Sequence, residues 1–340
     1  MGGDHGCGVV VAGVKLALAA DPNIEGVFLV GQKDQIELAL VRCGCRDARI
    51  EIVHASEVLA MADKPVLGLR RKKDCSILRA VGLLKDGRAE ALVSPGNTGG
   101  VVAASTIRLR PLPGVERPAI AAVLPASKNE FVLLDAVANV ECRPMHLLQY
   151  AIMGSVYSRE ILGYKRPRVG LLSVGTEETK GNELTKEAFK LLQQAPIDFV
   201  GNVEGHDLFT NRVEVVVCDG FVGNIVLKTC ECLATEIFSW LKRELSQNPL
   251  RLLGAALALG AFRTIKRRVD PDAYGGAPLL GLNGNVMIAH GSAGERAIMN
   301  VIRLATNATQ NNINQMIVQE LAATRKRLAP EPAPAADTSL

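Results

Sequence analysis

Short apolar runs alternate along this chain with segments whose apolar residues recur at helical spacing. Most of the runs are apolar at both odd and even positions, as strands are when helices cover both faces of a parallel sheet. We predict strands at residues 26–30, 50–54, 89–94, 119–124, 131–135, 168–174, 199–202, 213–218 and 286–289. We predict helices between these strands, such as those at residues 76–86, 98–109, 146–162 and 184–194.

This alternation predicts an α/β fold with a mostly parallel sheet in a three-layer sandwich. In open sheets of this kind, ligands bind beyond the carboxyl ends of the strands, so we look for chemistry in the loops that follow strands. We assign residues 1–327 to one catalytic domain. Residues 328–340 are rich in Pro, Ala and acidic residues, so we expect a disordered tail there.

Composition narrows the class of protein. Of 340 residues, 48% are hydrophobic and 4% aromatic, which indicates a large core and argues against a disordered or disulfide-stapled chain. The net charge of +4 is compatible with acidic partners such as phosphate, a phosphopantetheine carrier or anionic lipid, and does not by itself indicate nucleic acid. The eight cysteines form no C-x-x-C pair, so we expect reduced cytosolic thiols and no zinc site.

Two loops after predicted strands combine small residues with polar groups that suit an anion. Residues 94–100, SPGNTGG, precede a helix whose N-terminal N–H groups attract negative charge, and Asn97 and Thr98 add side-chain donors. The alternative is a tight turn in which Thr98 caps the helix. Residues 219–224, DGFVGN, open a second helix, where Asp219 either orients a neighbouring group or serves as the cap.

A third loop, at residues 175–182 (GTEETKGN), carries more charge. Lys180 is placed to neutralise phosphate, and Asn182 to donate a hydrogen bond to an oxyanion. The alternative is a solvated loop in which Asn182 caps the next helix. Glycine at both ends of the charged stretch indicates a constrained backbone, which favours the functional interpretation.

A fourth loop, at residues 274–281, lies shortly before the predicted strand that ends next to His290. His290 is the strongest candidate for acid–base chemistry, with a structural role as the alternative. The chain contains no G-x-S-x-G elbow and no Cys beside a plausible His base, so we do not expect a covalent acyl-enzyme. Phosphate is itself a nucleophile at neutral pH, so the protein need only position it and stabilise the oxyanion.

Residues 250–269 combine an apolar stretch with a basic end. Residues 252–262 carry no charge, and basic residues flank them: Arg251, Arg263, Lys266, Arg267 and Arg268. The apolar stretch is too short to span a bilayer, which takes ~20 residues. Such a helix either lies on an anionic bilayer surface or buries its apolar face in a dimer, and both remain open.

Together these loops resemble the bacterial phosphate acyltransferase family, PlsX, over nearly the whole chain. The segments that carry the resemblance include MGGD at the start, SPGNTGG, LLDAVANVECRP, GTEETKGNELTKEA, VVVCDGFVGNIVLKT and YGGAPLLGLNGNVMIAHGS. The resemblance implies a doubly wound fold like that of phosphotransacetylases and isocitrate-type dehydrogenases. It also implies a homodimeric cytosolic enzyme that associates peripherally with the membrane.

The implied reaction moves a long-chain acyl group from acyl-carrier protein to inorganic phosphate. The acyl phosphate then feeds a membrane glycerol-3-phosphate acyltransferase. We expect no cofactor, no resident metal and no nucleic-acid partner. Two alternatives remain, a short-chain phosphate acetyltransferase that uses coenzyme A and a non-enzymatic scaffold on the membrane surface.

The candidate residues divide by role. Lys180 supplies charge, Asn97, Thr98 and Asn224 contact phosphate or the oxyanion, and His290 protonates the leaving thiolate. The expected catalytic residues are Lys180, Asn182, Asp219, Asn224 and His290, and the expected substrate-binding residues are Asn97, Thr98, Gly99, Gly223 and Lys228. Exposed basic residues, Arg70, Arg71, Lys72 and Lys73, are expected to contact the acidic carrier.

The chain departs from the family pattern at a few positions. The family has a strand before MGGD, so we expect a truncated start. Val137 replaces a glycine in the DxGAN-type turn. Valine permits fewer backbone conformations than glycine, so we expect the backbone of that turn to be affected. Pro95 replaces a small residue in the SAGNTG-type loop.

Overall fold

The structure is a computed structural model that describes residues 1–269 and 276–328. Its helices are α1 (Gly6–Ala20), α2 (Lys33–Arg42), α3 (Pro65–Arg71), α4 (Ser76–Lys85), α5 (Thr98–Leu109), α6 (Pro144–Glu160), α7 (Glu183–Gln194), α8 (Gly220–Leu245), α9 (Pro249–Leu257), α10 (Leu259–Val269), α11 (Glu295–Gln310) and α12 (Ile313–Leu328). Its strands are β1 (Val27–Gly31), β2 (Ile50–His54), β3 (Ala91–Ser94), β4 (Ala119–Pro125), β5 (Glu130–Leu134), β6 (Arg168–Leu172), β7 (Asp198–Val203), β8 (Val215–Val217), β9 (Ala277–Leu280) and β10 (Asn285–Ile288). Tyr274 and Gly275 of the fourth predicted loop, and residues 329–340 of the predicted tail, lie outside the described residues.

The strands form two sheets. β1 pairs with β2 in parallel, and the other eight form one sheet in the order β3-β10-β9-β4-β5-β8-β6-β7. Within that sheet, β5, β8, β6 and β7 run parallel to one another, and so do β3 and β10. The three pairings between them, through β9 and β4, are antiparallel, so β3 and β10 point the opposite way to β5 and β8.

Helices cover both faces of the large sheet, which explains why its strands are apolar at every position. Along β5, Val132 and Leu134 join the core beneath α6, α7, α11 and α12, whereas Phe131 and Leu133 join the core beneath α4 and α5. A third, smaller core holds α1 and α2 against the two-stranded sheet. The predicted three-layer α/β arrangement is therefore present.

The strand and helix predictions differ from the structure mainly at the ends of elements. The sixth strand ends at Leu172 instead of residue 174, because Val174 is 82% exposed and belongs to the following loop. The helix predicted from residue 146 begins at Pro144, a residue that suits the first helical turn. β9 was not predicted, and residues 250–269 form two helices, α9 and α10.

α8 leaves the body of the molecule. Of its 26 residues, only Gly220 and Gly223 in the first turn are buried, and α9 and α10 have no buried residue. Within residues 1–269 and 276–328, no helix combines the length and the apolar character needed to cross a bilayer.

Candidate active site

The strand directions separate the predicted site residues into two groups. Asn97, Thr98, Gly99 and His290 follow β3 and β10, while the other candidates follow β6 and β8. Because these strand pairs run in opposite directions, their carboxyl ends lie at diagonal corners of the sheet. In the order of the sheet, β9, β4 and β5 stand between β10 and β8, so the two groups occupy separate corners of the sheet.

Asn97 uses its side chain within the protein. Its Oδ1 accepts a hydrogen bond from Gly100 N at 2.8 Å, so Asn97, and not Thr98, is the N-cap of α5. Its Nδ2 lies 3.1 Å from the carbonyl oxygens of Ala60, Met61 and Asp63. The side chain is buried, and it fixes the loop before α3 against the start of α5. This geometry leaves no side-chain donor of Asn97 for phosphate.

The first turn of α5 nevertheless keeps donors available. The N–H groups of Thr98 and Gly99 make no hydrogen bond with any part of the chain that the structure describes. They point out of the N-terminus of a helix, where the helix dipole favours an anion. A Cβ on Gly99 would lie 2.6 Å from Pro65 Cγ, so this position is closely packed against α3.

His290 lies beside this turn, at the end of β10. Ser292 N donates to His290 Nδ1 at 3.3 Å, and Ser292 Oγ lies 2.7 Å from the same nitrogen. With Nδ1 acting as an acceptor, the ring proton is on Nε2. The ring is exposed, so the Nε2 proton is available to a ligand.

At the other corner, the loop after β6 presents Lys180. This lysine is exposed and forms no ion pair with any carboxylate in residues 1–269 and 276–328. Its side chain packs over Gly175, where an added Cβ would lie 2.8 Å from Lys180 Cγ. Asn202 Nδ2 donates to Glu177 O at 2.8 Å and so holds the loop against β7. The loop is constrained, as predicted, and its lysine is a free cation.

Asn182 ends this loop as the N-cap of α7. Its Oδ1 accepts from Thr185 N at 2.9 Å, which is the alternative role considered from the sequence. Its Nδ2 has no partner among the described residues and can still donate a hydrogen bond. Gly181 before it has a φ of +99°, and a Cβ there would lie 2.1 Å from Thr185 Oγ1. Only glycine fits this position without displacing the cap.

The start of α8 is fully hydrogen-bonded within the protein. Asp219 Oδ1 accepts from the N–H groups of Phe221 and Val222, both at 2.9 Å, and Gly223 N donates to Asp219 O at 2.9 Å. Gly220 N donates to Asn139 O at 2.7 Å. This N-terminus therefore offers no free backbone donor to an anion, and Asp219 is its cap.

The other candidates of this corner lie along α8 from the end of its first turn onward. Gly223 is buried, and a Cβ there would lie 2.0 Å from Asp135 O, so its role is close packing. Asn224 is half-buried, and its side chain makes no hydrogen bond within the described ranges. Lys228 pairs with Glu231 at 2.7 Å, one turn further along. Asn224 is thus the available side-chain donor of this helix start.

A buried aspartate that sequence reasoning did not select supports this corner. Asp135 is fully buried, and its carboxylate accepts from the N–H groups of Ile120, Ala138 and Asn139 at 2.7–3.1 Å. Asn139 Nδ2 donates to Asp135 Oδ2 at 2.8 Å and to Pro118 O at 2.7 Å. Burial raises the pKa of Asp135, and these donors act in the opposite direction.

This network connects the loop after β5 to α8, because Asn139 O in turn accepts from Gly220 N. Val137, which stands in the middle of the turn, does not have a positive φ, so the turn accommodates this substitution for glycine. The segment LLDAVANVECRP was the available sequence signal. The sequence does not show that its Asp and Asn bond each other and the start of α8.

The thiols near this corner are poor nucleophiles. Burial raises the pKa of Cys142 to about 11 and raises the pKa of Cys218 well above its ordinary value. The thiolate is the nucleophilic form of cysteine, and both groups stay protonated at neutral pH. A cysteine acyl-enzyme at either position is therefore disfavoured.

Comparison with known proteins decides the family. The model of the fatty acid synthesis protein family matches residues 1–316. The chain belongs to this family. A phosphate acyltransferase from Pelotomaculum thermopropionicum is 48% identical over 313 residues, covering 92% of this chain and 91% of that protein. A phosphate acyltransferase from Akkermansia muciniphila is 44% identical over 328 residues, covering 95% and 94%.

Membership of the fatty acid synthesis protein family confirms the resemblance found from the sequence and the prediction of an acyltransferase. A phosphotransacetylase from Streptococcus pyogenes is 16% identical and has a TM-score of 0.63, with coverage of 89% of this chain and 91% of that one. At this identity the likeness concerns the fold alone. It confirms the predicted phosphotransacetylase-like α/β fold.

Proposed function

We propose that this chain transfers a long-chain fatty acyl group from acyl-carrier protein to inorganic phosphate, giving acyl phosphate and free carrier. The observation that carries the proposal is Lys180, an unpaired cation on a constrained loop, in a family whose relatives are phosphate acyltransferases. The catalytic domain spans residues 1–327, and the enzyme works without a cofactor.

In the proposed reaction the protein positions phosphate and the thioester, and no acyl-enzyme forms. A phosphate oxygen attacks the thioester carbonyl carbon, the C–O bond forms, and the C–S bond then breaks to release the carrier thiolate. Lys180 neutralises the phosphate, and the free amides of Asn224 and Asn182 donate to it or to the carbonyl oxygen as that oxygen becomes negative. His290 donates a hydrogen bond from Nε2–H to the leaving thiolate, which takes its proton from solvent.

Loop variants test these roles. Lys180→Ala and Asn224→Ala should each lower kcat for thiol release from palmitoyl-carrier protein by about a hundredfold or more, as expected for groups that face transition-state charge. Lys190→Ala, an exposed lysine on α7 outside the loop, is the matched control and should leave kcat unchanged. Near wild-type rates in both loop variants would overturn the assignment, and so would full phosphate-dependent turnover with acetyl-coenzyme A only.

We also propose that α8–α10 connect the enzyme to a second copy and to the membrane. Beyond its first turn, α8 leaves apolar side chains half-exposed, among them Leu233, Ile237 and Trp240, and a second copy would cover them. α9 and α10 combine strongly exposed leucines, such as Leu257 at 84%, with a basic end, a composition typical of a helix on an anionic bilayer surface. This arrangement would release acyl phosphate next to a membrane glycerol-3-phosphate acyltransferase.

Two measurements test dimer formation and membrane binding separately. Trp240→Glu should convert a dimer to a monomer in light scattering. Leu257→Glu should abolish flotation with anionic vesicles and leave the dimer intact. A wild-type monomer would refute the first part, and unchanged flotation of Leu257→Glu would refute the second. A scaffold without enzymatic activity would float with vesicles yet tolerate Lys180→Ala in cells.

A further inference from the structure

We propose that the outward face of α3, with the residues that flank it, is the docking surface for the acidic carrier of the proposed reaction. The inference rests on the proposed function and adds the place where the protein part of the donor binds. We call this region the carrier-docking surface, and its residues are Met61, Val66, Leu67, Arg70, Arg71 and Lys73.

The exposed face of α3 joins apolar and basic side chains. Val66 and Leu67 are half-exposed, and Arg70 and Arg71 follow them four positions later on the same side of the helix. Gly68 and Leu69 face the protein and are buried. Met61, which is also partly exposed, extends the apolar part into the preceding loop.

The charge of this surface is not compensated within the protein. Arg70, Arg71 and Lys73 form no ion pair in residues 1–269 and 276–328. The neighbouring carboxylates already have partners, since Asp63 pairs with Lys72 at 2.6 Å and Asp74 pairs with Arg79. Lys72, which the sequence grouped with the other basic residues, is therefore a structural ion-pair partner. The remaining cations favour an acidic partner.

The carrier-docking surface is fixed directly to one corner of the proposed site. Asn97, the N-cap of α5, holds the loop before α3 through its three contacts with carbonyl oxygens. Pro65, the first residue of α3, packs on Gly99, whose free N–H group lies in the first turn of α5. A protein bound on α3 thus stands beside Thr98 and His290. In this proposal the flexible phosphopantetheine arm of that protein carries the thioester from this corner of the sheet toward Lys180.

The composition of the surface favours a protein over a bilayer. Three partly exposed apolar side chains among three cations form a small patch, suited to an acidic helix with an apolar ridge. The strongly exposed leucines and the basic end of α9 and α10 form the larger apolar surface expected for lipid contact. The α3 surface therefore suits the acidic carrier, and the surface of α9 and α10 suits the anionic bilayer.

The test is the Michaelis constant for palmitoyl-carrier protein in the full chain carrying Arg70→Glu and Arg71→Glu. We expect KM to rise about tenfold or more and kcat at saturating carrier to stay within about twofold, because reversed charge weakens encounter and leaves the chemistry intact. The increase of KM with added salt should also become weaker. Lys326→Glu with Arg327→Glu, at the exposed end of α12, makes the same charge change elsewhere and should leave KM unaltered.

A second pair of variants tests the apolar part. Leu67→Ser removes a leucine that is 48% exposed on the surface, and Leu38→Ser removes one that is 50% exposed on α2. Only Leu67→Ser should raise KM, by about threefold to tenfold.

The outcomes distinguish the docking surface from the proposed function. Absence of phosphate-dependent thiol release by the wild-type chain would refute the proposed function itself. Wild-type turnover with the same KM in both double variants would overturn the docking surface. Loss of vesicle flotation with an unchanged carrier KM in the α3 variant would also overturn it, and would assign α3 to the bilayer.

Discussion

Gly223→Ala tests whether the close approach of α8 to the loop after β5 positions the site. An added Cβ would lie 2.0 Å from Asp135 O and 3.0 Å from Asp135 C, both of which are backbone atoms. Ordinary contact begins near 3.4 Å, so the first turn of α8 must move away by about 1.4 Å. That movement would carry Asp219 and Asn224 with it.

The expected cost follows from this displacement. Overpacking of a close contact lowers the free energy of unfolding by about 1–3 kcal/mol, measured by urea denaturation. A displacement of about 1 Å at a positioned donor lowers kcat/KM for phosphate-dependent thiol release by about a hundredfold. Gly8→Ala in α1 is the control, because a Cβ there meets no atom within 4 Å. That change should raise the free energy of unfolding by up to about 1 kcal/mol through helix propensity. Equal stability and equal rates in the two variants would refute the reasoning.

Three further predictions concern single positions. Gly181→Ala should lower the free energy of unfolding by about 1–3 kcal/mol, since φ is +99° and the methyl group would strike Thr185 Oγ1; no change in urea denaturation would contradict this. Asn97→Ala should raise KM for the carrier more than it lowers kcat, because it releases the loop before α3; a pure kcat effect would instead indicate direct contact with the reacting groups. The free energy of unfolding should fall between pH 9 and about 11, because the unfolded chain loses the Cys142 proton near the ordinary value of 9.0 while folded Cys142 keeps it to about 11. Cys142→Ser should make that decline shallower, and an identical pH profile would count against a raised pKa.

The sequence predicted local structure well because the core is periodic. Residues 50–54 form β2 as predicted, and residues 98–109 form α5 with the predicted bounds. Both follow from apolar patterning and from small or turn-forming residues at the ends. At residues 173 and 174 the pattern was misleading, because Val174 is an exposed valine that continues an apolar run.

The relative direction of the strands could not be predicted from alternation alone. β10 is distant from β3 along the chain, yet it pairs with β3 in parallel. β9 joins β10 to β4 by two antiparallel pairings, and the antiparallel pairing of β4 with β5 reverses the direction of that half relative to β5. Such pairing depends on long-range packing of side chains, which a local pattern does not record.

The hydrogen bonds of the candidate residues could not be predicted from the sequence. The side chains of Lys180 and Asn224 make no hydrogen bond or ion pair within the described residues, whereas Asn97 and Asp219 use their side chains as caps. An Asn or Asp after a strand suits both roles, and only the positions of its neighbours decide between them. Asp135 was missed because its importance lies in bonds to Ile120 and Asn139, which adjacent residues in the sequence do not reveal.

The most direct test of the account is release of carrier thiol from palmitoyl-carrier protein by the purified chain, with and without inorganic phosphate. We predict release only when phosphate is present, together with an acyl product that hydroxylamine converts to the hydroxamate. Release at the same rate without phosphate, or no release by a folded chain from the carrier or from acyl-coenzyme A, would contradict phosphate acyl transfer.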